Sequence, residues 1–175
     1  MTAAIAIEPA QVVDAWDIAA VHVRSWRETY PGLIPPAVLA RLSADRLALD
    51  RARVIDRGDP TLVVRIDDAV GGFASGGPAR RQRGFDGEIY ELYLLREHHR
   101  RGIGRALFKA MVARLGALGH ASVMLWVLDG NPAAGFYARM GGRAFARKTE
   151  RVGGAPLVHV GYGWDDLSDG LAGPR

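Results

Sequence analysis

The chain contains no cysteine in its 175 residues, which removes disulfides, thiolate metal sites and a cysteine nucleophile in one step. No run of about 18 apolar residues occurs, so no segment reads as a membrane-spanning helix. The first ten residues carry Glu8 and Pro9 and have no basic region followed by a long apolar stretch, so no leader is read there and a cytoplasmic location is expected. Internal repeats, low-complexity tracts and long linkers are also missing. What remains is an ordinary globular composition, 49% hydrophobic and 24% charged, which argues against disorder and against a fibrous architecture. A chain of this length hides roughly two-thirds of its unfolded surface as one domain. The expected division is a single domain over residues 1–165 and a tail over 166–175.

The formal charge is +4. Arginines gather at Arg80, Arg81 and Arg83, at Arg96, Arg100, Arg101 and Arg105, and, with Lys148, at Arg139, Arg143 and Arg147. Such clusters suit an anionic ligand or a solvated surface. No nucleic-acid reading motif or repeated basic-aromatic platform accompanies them, so nucleic acid is not expected as a partner, and neither is a membrane.

Hydrophobic periodicity predicts a helix from about Val13 to Glu28, broken at Tyr30-Pro31-Gly32, then helices over Ala37 to Leu42 and Ala44 to Asp56. Thr61 to Ile66 and Ala69 to Ser75 read as a hairpin around Asp67-Asp68. Gly76 to Gly87 reads as a mobile loop and Glu88 to Leu95 as a strand. After a glycine turn, Ile103, Leu107, Met111, Leu115 and Leu118 recur at helical spacing. The apolar run Ser122 to Leu128 suits a strand buried on both faces. A short helix from Pro132 to about Met140 follows, then strands near Arg143 to Val152 and Leu157 to Trp164. This order predicts an α/β fold, a mixed sheet covered by helices. The last strand, with Val158, Val160, Tyr162 and Trp164, is expected at a sheet edge, where pairing with a second copy would give a homodimer.

The segment His98-His-Arg-Arg-Gly-Ile-Gly-Arg105 lies between a strand and a helix, so free backbone N–H groups and the helix dipole converge on one spot. Glycines at 102 and 104 admit a bulky phosphate to the main chain, and Arg100, Arg101 and Arg105 add positive charge; diphosphate fits such a turn. A dinucleotide fingerprint would need glycine where Leu107 stands, and a P-loop would need a Gly-Lys-Ser/Thr ending that is absent. A tight turn without a ligand is the plain alternative.

From about residue 60 to 164 the chain resembles the Gcn5-related N-acetyltransferase (GNAT) family, whose signature is Arg/Gln-x-x-Gly-x-Gly/Ala directly after a bulged strand. The resemblance rests on Leu92-Tyr93-Leu94, the turn at 99–104, the amphipathic helix, the apolar strand ending at Asn131, and Phe136-Tyr137-Ala-Arg-Met-Gly141. Ser25-Trp26-Arg-Glu-Thr-Tyr30 is similar to the substrate-side helices of many small members. Three departures stand out: His99 replaces the usual Arg or Gln, the interval from Asn131 to Tyr137 is one residue short, and Gly142 stands where Phe often follows the glycine.

The resemblance implies a largely antiparallel sheet with one splayed parallel strand pair, helices on both faces, and acetyl-CoA as cosubstrate. It puts the pantetheine arm on main-chain groups of Leu92, Tyr93 and Leu94 and on Asn131, and the diphosphate on Arg100, Arg101, Gly102, Ile103, Gly104 and Arg105. It implies acetyl transfer to a primary amine of a small molecule or peptide by direct attack in a ternary complex. A lysine-type amine has a pKa near 10.4, so a proton acceptor helps. Glu88 has the family position for that base; Glu91, three residues on, is expected on the opposite strand face, and His22 is a third candidate. Tyr137 matches the acid that protonates the departing thiolate. Trp26, Tyr30 and Tyr93 are expected on the acceptor side or in the core. A non-catalytic acyl-CoA sensor of the same fold is the alternative to an enzyme.

Overall fold

The computed structural model describes residues 4–80 and 84–167. In chain order the elements are β1 (Ile5–Pro9), α1 (Ala15–Thr29), α2 (Pro36–Ala40), α3 (Ala44–Asp56), β2 (Thr61–Ile66), β3 (Ala69–Pro78), β4 (Gly87–Leu94), α4 (Ile103–Ala117), β5 (Val123–Leu128), α5 (Ala133–Arg139), β6 (Arg143–Val152) and β7 (Ala155–Trp164). The strands form one sheet in the order β1-β2-β3-β4-β5-β7-β6. Only β4 and β5 run parallel. Among the described residues no helix is long and apolar enough to cross a membrane.

Period-two alternation places Leu62 and Val64 of β2 on one face of the sheet and Val63 on the other. The first face is covered by α4 and α5. There Leu107, Met111 and Leu115 are fully buried against Leu62, Val64, Ile89, Val123 and Leu125. Each such side chain is worth roughly 1.5–3 kcal/mol relative to exposure. On the second face α1 brings Ile18 and Val21 onto Val63 and Phe73. The β2–β3 hairpin turns on Asp67 and Asp68, both at positive φ (48° and 68°), the hand that matches strand twist in a two-residue loop. Ser43 caps α3 by accepting the Arg46 N–H.

Several expectations are corrected. Ile5–Pro9 is an edge strand paired with β2; its short, partly polar run gives little signal of its own. A 3-10 turn at Val12–Asp14 precedes α1. Gly76–Pro78, expected in the loop, continues β3 and pairs with Gly87, Glu88 and Ile89. Arg81, Gln82 and Arg83 lie outside the described residues, as does most of the expected tail. The strand β7 is not an edge: it lies between β5 and β6, antiparallel to both. The edge on that side of the sheet is β6, whose Arg143, Arg147, Lys148, Glu150 and Arg151 are the charges that discourage edge pairing. The basis for a homodimer through Val158 to Trp164 therefore falls away.

Candidate active site

The parallel pair is joined at only two positions, Gly87↔Val123 and Glu88↔Met124, after which β4 and β5 diverge. Asp86 pins that apex: its carboxylate accepts the Ala121 and Ser122 N–H groups at 2.8 Å each and the Ser122 hydroxyl at 2.8 Å. These bonds, working against desolvation, hold its pKa down to about 2. Beyond the apex β4 is bonded only to β3 and β5 only to β7, so the two facing strand edges keep main-chain groups for a guest in the wedge.

At the wide end β4 passes through Arg100 and Gly102, both left-handed (φ 58° and 77°), into α4. The first helical bond is from Ala106 N–H to the Gly102 carbonyl, so the preceding amides point outward from the helix N-terminus. A Cβ on Gly102 would meet nothing within 4 Å, and one on Gly104 only Leu94 Cδ2 at 3.9 Å, so the space over this turn is open. Arg100, Arg101 and Arg105 are exposed around it, and none of them is ion-paired to another described residue. Ile103 is buried, so it offers only its N–H. His99 bonds the Leu94 carbonyl through Nε2 at 2.8 Å, tying the turn to the end of β4. The fit to a diphosphate thus rests on main-chain amides and flanking arginines.

A bulge reorders the faces of β4. Ser75 pairs with Glu91 but its neighbour Gly76 pairs with Ile89, leaving Tyr90 as the extra residue. The alternation slips by one, so Glu88 and Glu91 share a face, contrary to the expectation of opposite faces. Leu92 and Leu94, with Ile89, turn to the α4 side; Tyr93 turns to the α1 side. Tyr93 therefore offers the wedge its main chain only.

On the α1 side a cleft of about 550 Å³ is walled by Trp26, Tyr90 and Tyr93 and by residues of α3, with Glu91 and Arg80 in its lining. Glu91 is bonded to Arg51, accepts the Ser75 hydroxyl at 2.7 Å and lies 3.4 Å from His22 Nδ1. Burial alone would raise its pKa, but Arg51, His22 and Ser75 together hold it below the usual carboxylate value. His22 packs among Trp26, Phe73 and Tyr93. Burial lowers its pKa to about 4, so at pH 7 the ring is neutral and Nδ1 accepts from Arg51 at 3.3 Å rather than donating to Glu91. It is a packed and bonded histidine. Glu88 is 4% exposed and held by Arg80, through the backbone N–H at 2.7 Å and the guanidinium at 2.9 Å. The Arg80 side chain is itself 61% exposed and lies over the Tyr90 ring, 3.8 Å from its centroid.

Asn131 combines two roles. Its Oδ1 accepts the Ala133 N–H at 2.9 Å, capping α5, and its Nδ2 donates to the Tyr30 hydroxyl at 3.3 Å. Tyr137 is buried on α5 against Phe108, Phe136 and Tyr162. Burial first, and the nearby Tyr30 second, raise its pKa, so the phenol keeps its proton at neutral pH. The residues that sequence reasoning missed are Arg51, Ser75, Arg80 and Asp86. Arg80 was visible only as one of an arginine cluster, and nothing local marks the others.

The acetyltransferase (GNAT) family model matches residues 20–142. A curated relative, the uncharacterized N-acetyltransferase YuaI of Bacillus subtilis, is 38% identical over 167 residues, covering 94% of this chain and 95% of its own length. Among solved structures, yncA of Salmonella typhimurium, with its cofactor acetyl-CoA, aligns at a TM-score of 0.72 and 19% identity, and the alignment spans 94% of this chain and 95% of that one. The paia N-acetyltransferase of Thermoplasma acidophilum, in complex with coenzyme A, aligns at 0.66 and 20% identity over 90% of this chain and 98% of its own. With the split β4–β5 pair, the bulge at Tyr90 and the open glycine turn in place, the match across most of the chain identifies it as a member of the GNAT family of N-acetyltransferases.

Proposed function

We propose that the protein moves the acetyl group of acetyl-CoA to a primary amine of a small molecule or peptide, by direct attack within a ternary complex. The observation that carries this reading is the wedge between β4 and β5. At its wide end is an open glycine turn flanked by exposed arginines, and on the α1 side of β4 is a walled cleft with Glu91 in its lining, which together support the reading. Bound acetyl-CoA supplies an activated acyl group with a thiolate leaving group.

The chain's own residues divide the work. Amides of residues 100–105 and the arginines Arg100, Arg101 and Arg105 hold the diphosphate, while main-chain groups of Leu92, Tyr93 and Leu94 and the Asn131 side chain line the pantetheine path. Unpaired N–H groups at the bulged strand stabilise negative charge on the acyl oxygen, worth about 3 kcal/mol per donor. An incoming ammonium group competes with the exposed Arg80 guanidinium for Glu88, which then takes the proton and frees the amine. Glu91, tied to Arg51 and Ser75, shapes the cleft rather than accepting the proton. Tyr137 returns a proton to the departing sulfur.

The test is release of free CoA on mixing the protein with acetyl-CoA and a panel of spermidine, an aminoglycoside, free amino acids and a lysine-containing peptide. Saturable, amine-dependent release is expected. A panel in which no amine raises release above the acetyl-CoA blank would overturn the reading.

A further inference from the structure

The chain has two lysines among its 23 Lys and Arg residues, so Lys109 and Lys148 carry its only side-chain primary amines. Lys109 is exposed on α4, across the sheet from the cleft. Lys148 lies on β6 and faces the acceptor side, as the strand register shows. Leu128 of β5 and Leu157 of β7 pack with Trp26 and Tyr30 at the end of α1, and so mark the α1 face of this half of the sheet. Alternation adds Met124 and Trp126 of β5 and His159 of β7 to that face. Lys148 pairs with His159 and Glu150 with Leu157, which brings both onto it.

That face borders the wedge. Met124 is the partner of Glu88 at the apex, and Trp126 is the next residue of the same face beyond it, about 7 Å along a strand that has already left β4. Trp126 thus walls the wedge mouth from the β5 side, as Arg80, bonded to Glu88 and lying over Tyr90, does from the β4 side. The Lys148 stem starts two strands away from β5, on the sheet edge, yet runs inward rather than out to solvent. Its ammonium sits 4.4 Å from the Trp126 ring centroid and donates to Glu150 Oε1 at 2.9 Å. The Glu150 carboxyl is held below its usual value by Lys148 first, and Arg80 adds to that pull from the opposite wall. Ring contact and ion pair are both weak at a partly exposed site, so the amine is kept beside the wedge without being locked there.

We infer that the protein acetylates itself at Lys148. The inference rests on the acetyl-transfer reading and adds to the free amine a second acceptor that belongs to the chain. Rotation about the bonds of its flexible stem carries the Lys148 nitrogen off the Trp126 ring and into the wedge. The ammonium loses one proton to Glu150 and thence to solvent. Its nitrogen bonds to the acyl carbon, the carbon–sulfur bond breaks, and the second proton lost by the nitrogen ends on sulfur. The products are Nε-acetyl-lysine and free CoA, and no other reactant is needed. The amide is uncharged, so Glu150 loses the Lys148 cation and the face gains a negative charge.

The experiment incubates the purified protein with acetyl-CoA and no amine, and follows each lysine by mass spectrometry of protease digests. Lys148 should gain one acetyl group, about 42 Da, on the order of 100-fold faster than Lys109, the exposed lysine that reports chemical acetylation. The rate constant at Lys148 should not change as the protein is diluted. In Gly104→Asp it should fall to that of Lys109. Acetyl already present at purification is counted the same way, against Gly104→Asp purified alongside. A second readout needs no turnover: CoA without an acetyl group should shield Lys148, and not Lys109, from an amine-reactive ester. Equal rates at the two lysines, a Lys148 rate constant that falls on dilution, or ester labelling of Lys148 that CoA does not slow would each overturn the inference. So would an unmodified Lys148 in a protein that releases CoA with the amine panel. A protein that releases no CoA with any amine and gains no acetyl group would instead strike the acetyl-transfer reading itself.

Discussion

Substituting Gly104 by aspartate separates ligand binding from folding. Gly104 is the second residue of α4, has no positive φ, and a Cβ there meets only Leu94 Cδ2 at 3.9 Å. The side chain therefore enters open space, and its carboxylate sits at a helix N-terminus, where a negative charge stabilises by roughly 0.3–1 kcal/mol. The unliganded variant should melt at or above the wild-type temperature. With diphosphate on the turn the same carboxylate meets like charge; at about 4 Å and an effective dielectric near 20 the repulsion is about 4 kcal/mol per unit charge, a loss of roughly 10³-fold in affinity. Acetyl-CoA at about 100 times its Kd stabilises a folded protein by about 2.7 kcal/mol. For a domain of this size that is about 5–10 °C in Tm. Thermal melts followed by circular dichroism, with and without acetyl-CoA, should show that shift in the wild type and in Gly104→Ala, and none in Gly104→Asp. An Asp variant that keeps the full shift would refute the placement of diphosphate on this turn. Gly102 is a poorer choice for the experiment, since its φ of 77° strains any side chain.

Three further outcomes are expected. Tyr137→Phe should lower kcat about 10²-fold while the acetyl-CoA-induced shift in Tm is retained, checked by steady-state rates beside melts; an unaffected kcat would show that the shortened interval from Asn131 moves the phenol away from the sulfur. Glu88→Gln should slow transfer at neutral pH and recover partly at high pH, where the free amine is abundant, whereas Glu91→Gln should chiefly destabilise the fold by leaving Arg51 without its partner; a pair of rate–pH profiles reversed between the two would move the base to Glu91. His22 is depressed from 6.5 to about 4, so the unfolded chain binds the extra proton between those values. Its contribution to stability is complete above pH 6.5 and is lost as the pH falls toward 4, by about 3 kcal/mol. Urea unfolding from pH 7 to 4 should show that slope and His22→Gln should flatten it; equal slopes would contradict the assignment.

The legible parts of the fold were those written in local chemistry. The bounds of α3 follow from Ser43 at its N-cap and Gly58 just past its end, and those of β2 from its β-branched run before the Asp67-Asp68 turn. The turn at 99–104 was readable because left-handed glycine and a following amphipathic helix leave a mark at fixed spacing. Register left no such mark. The bulge at Tyr90 arises from how β4 pairs with β3, and it alone decides that Glu91 faces the same side as Glu88. The place of β7 inside the sheet likewise depends on which partners its two edges find. Arg51, on a helix with no fully buried residue, reaches Glu91 across the α3–β4 interface, a contact that no helical pattern announces.

The most direct test of the account is the fate of a labelled acetyl group. With acetyl-CoA carrying isotope in the acetyl carbons, and the amine panel as acceptors, mass spectrometry should find the label on an amine nitrogen together with an equal amount of free CoA, both lost in Gly104→Asp. Acetyl-CoA that binds and shifts Tm while no amine gains label and no CoA is freed would contradict it, and would leave a sensor in place of an enzyme.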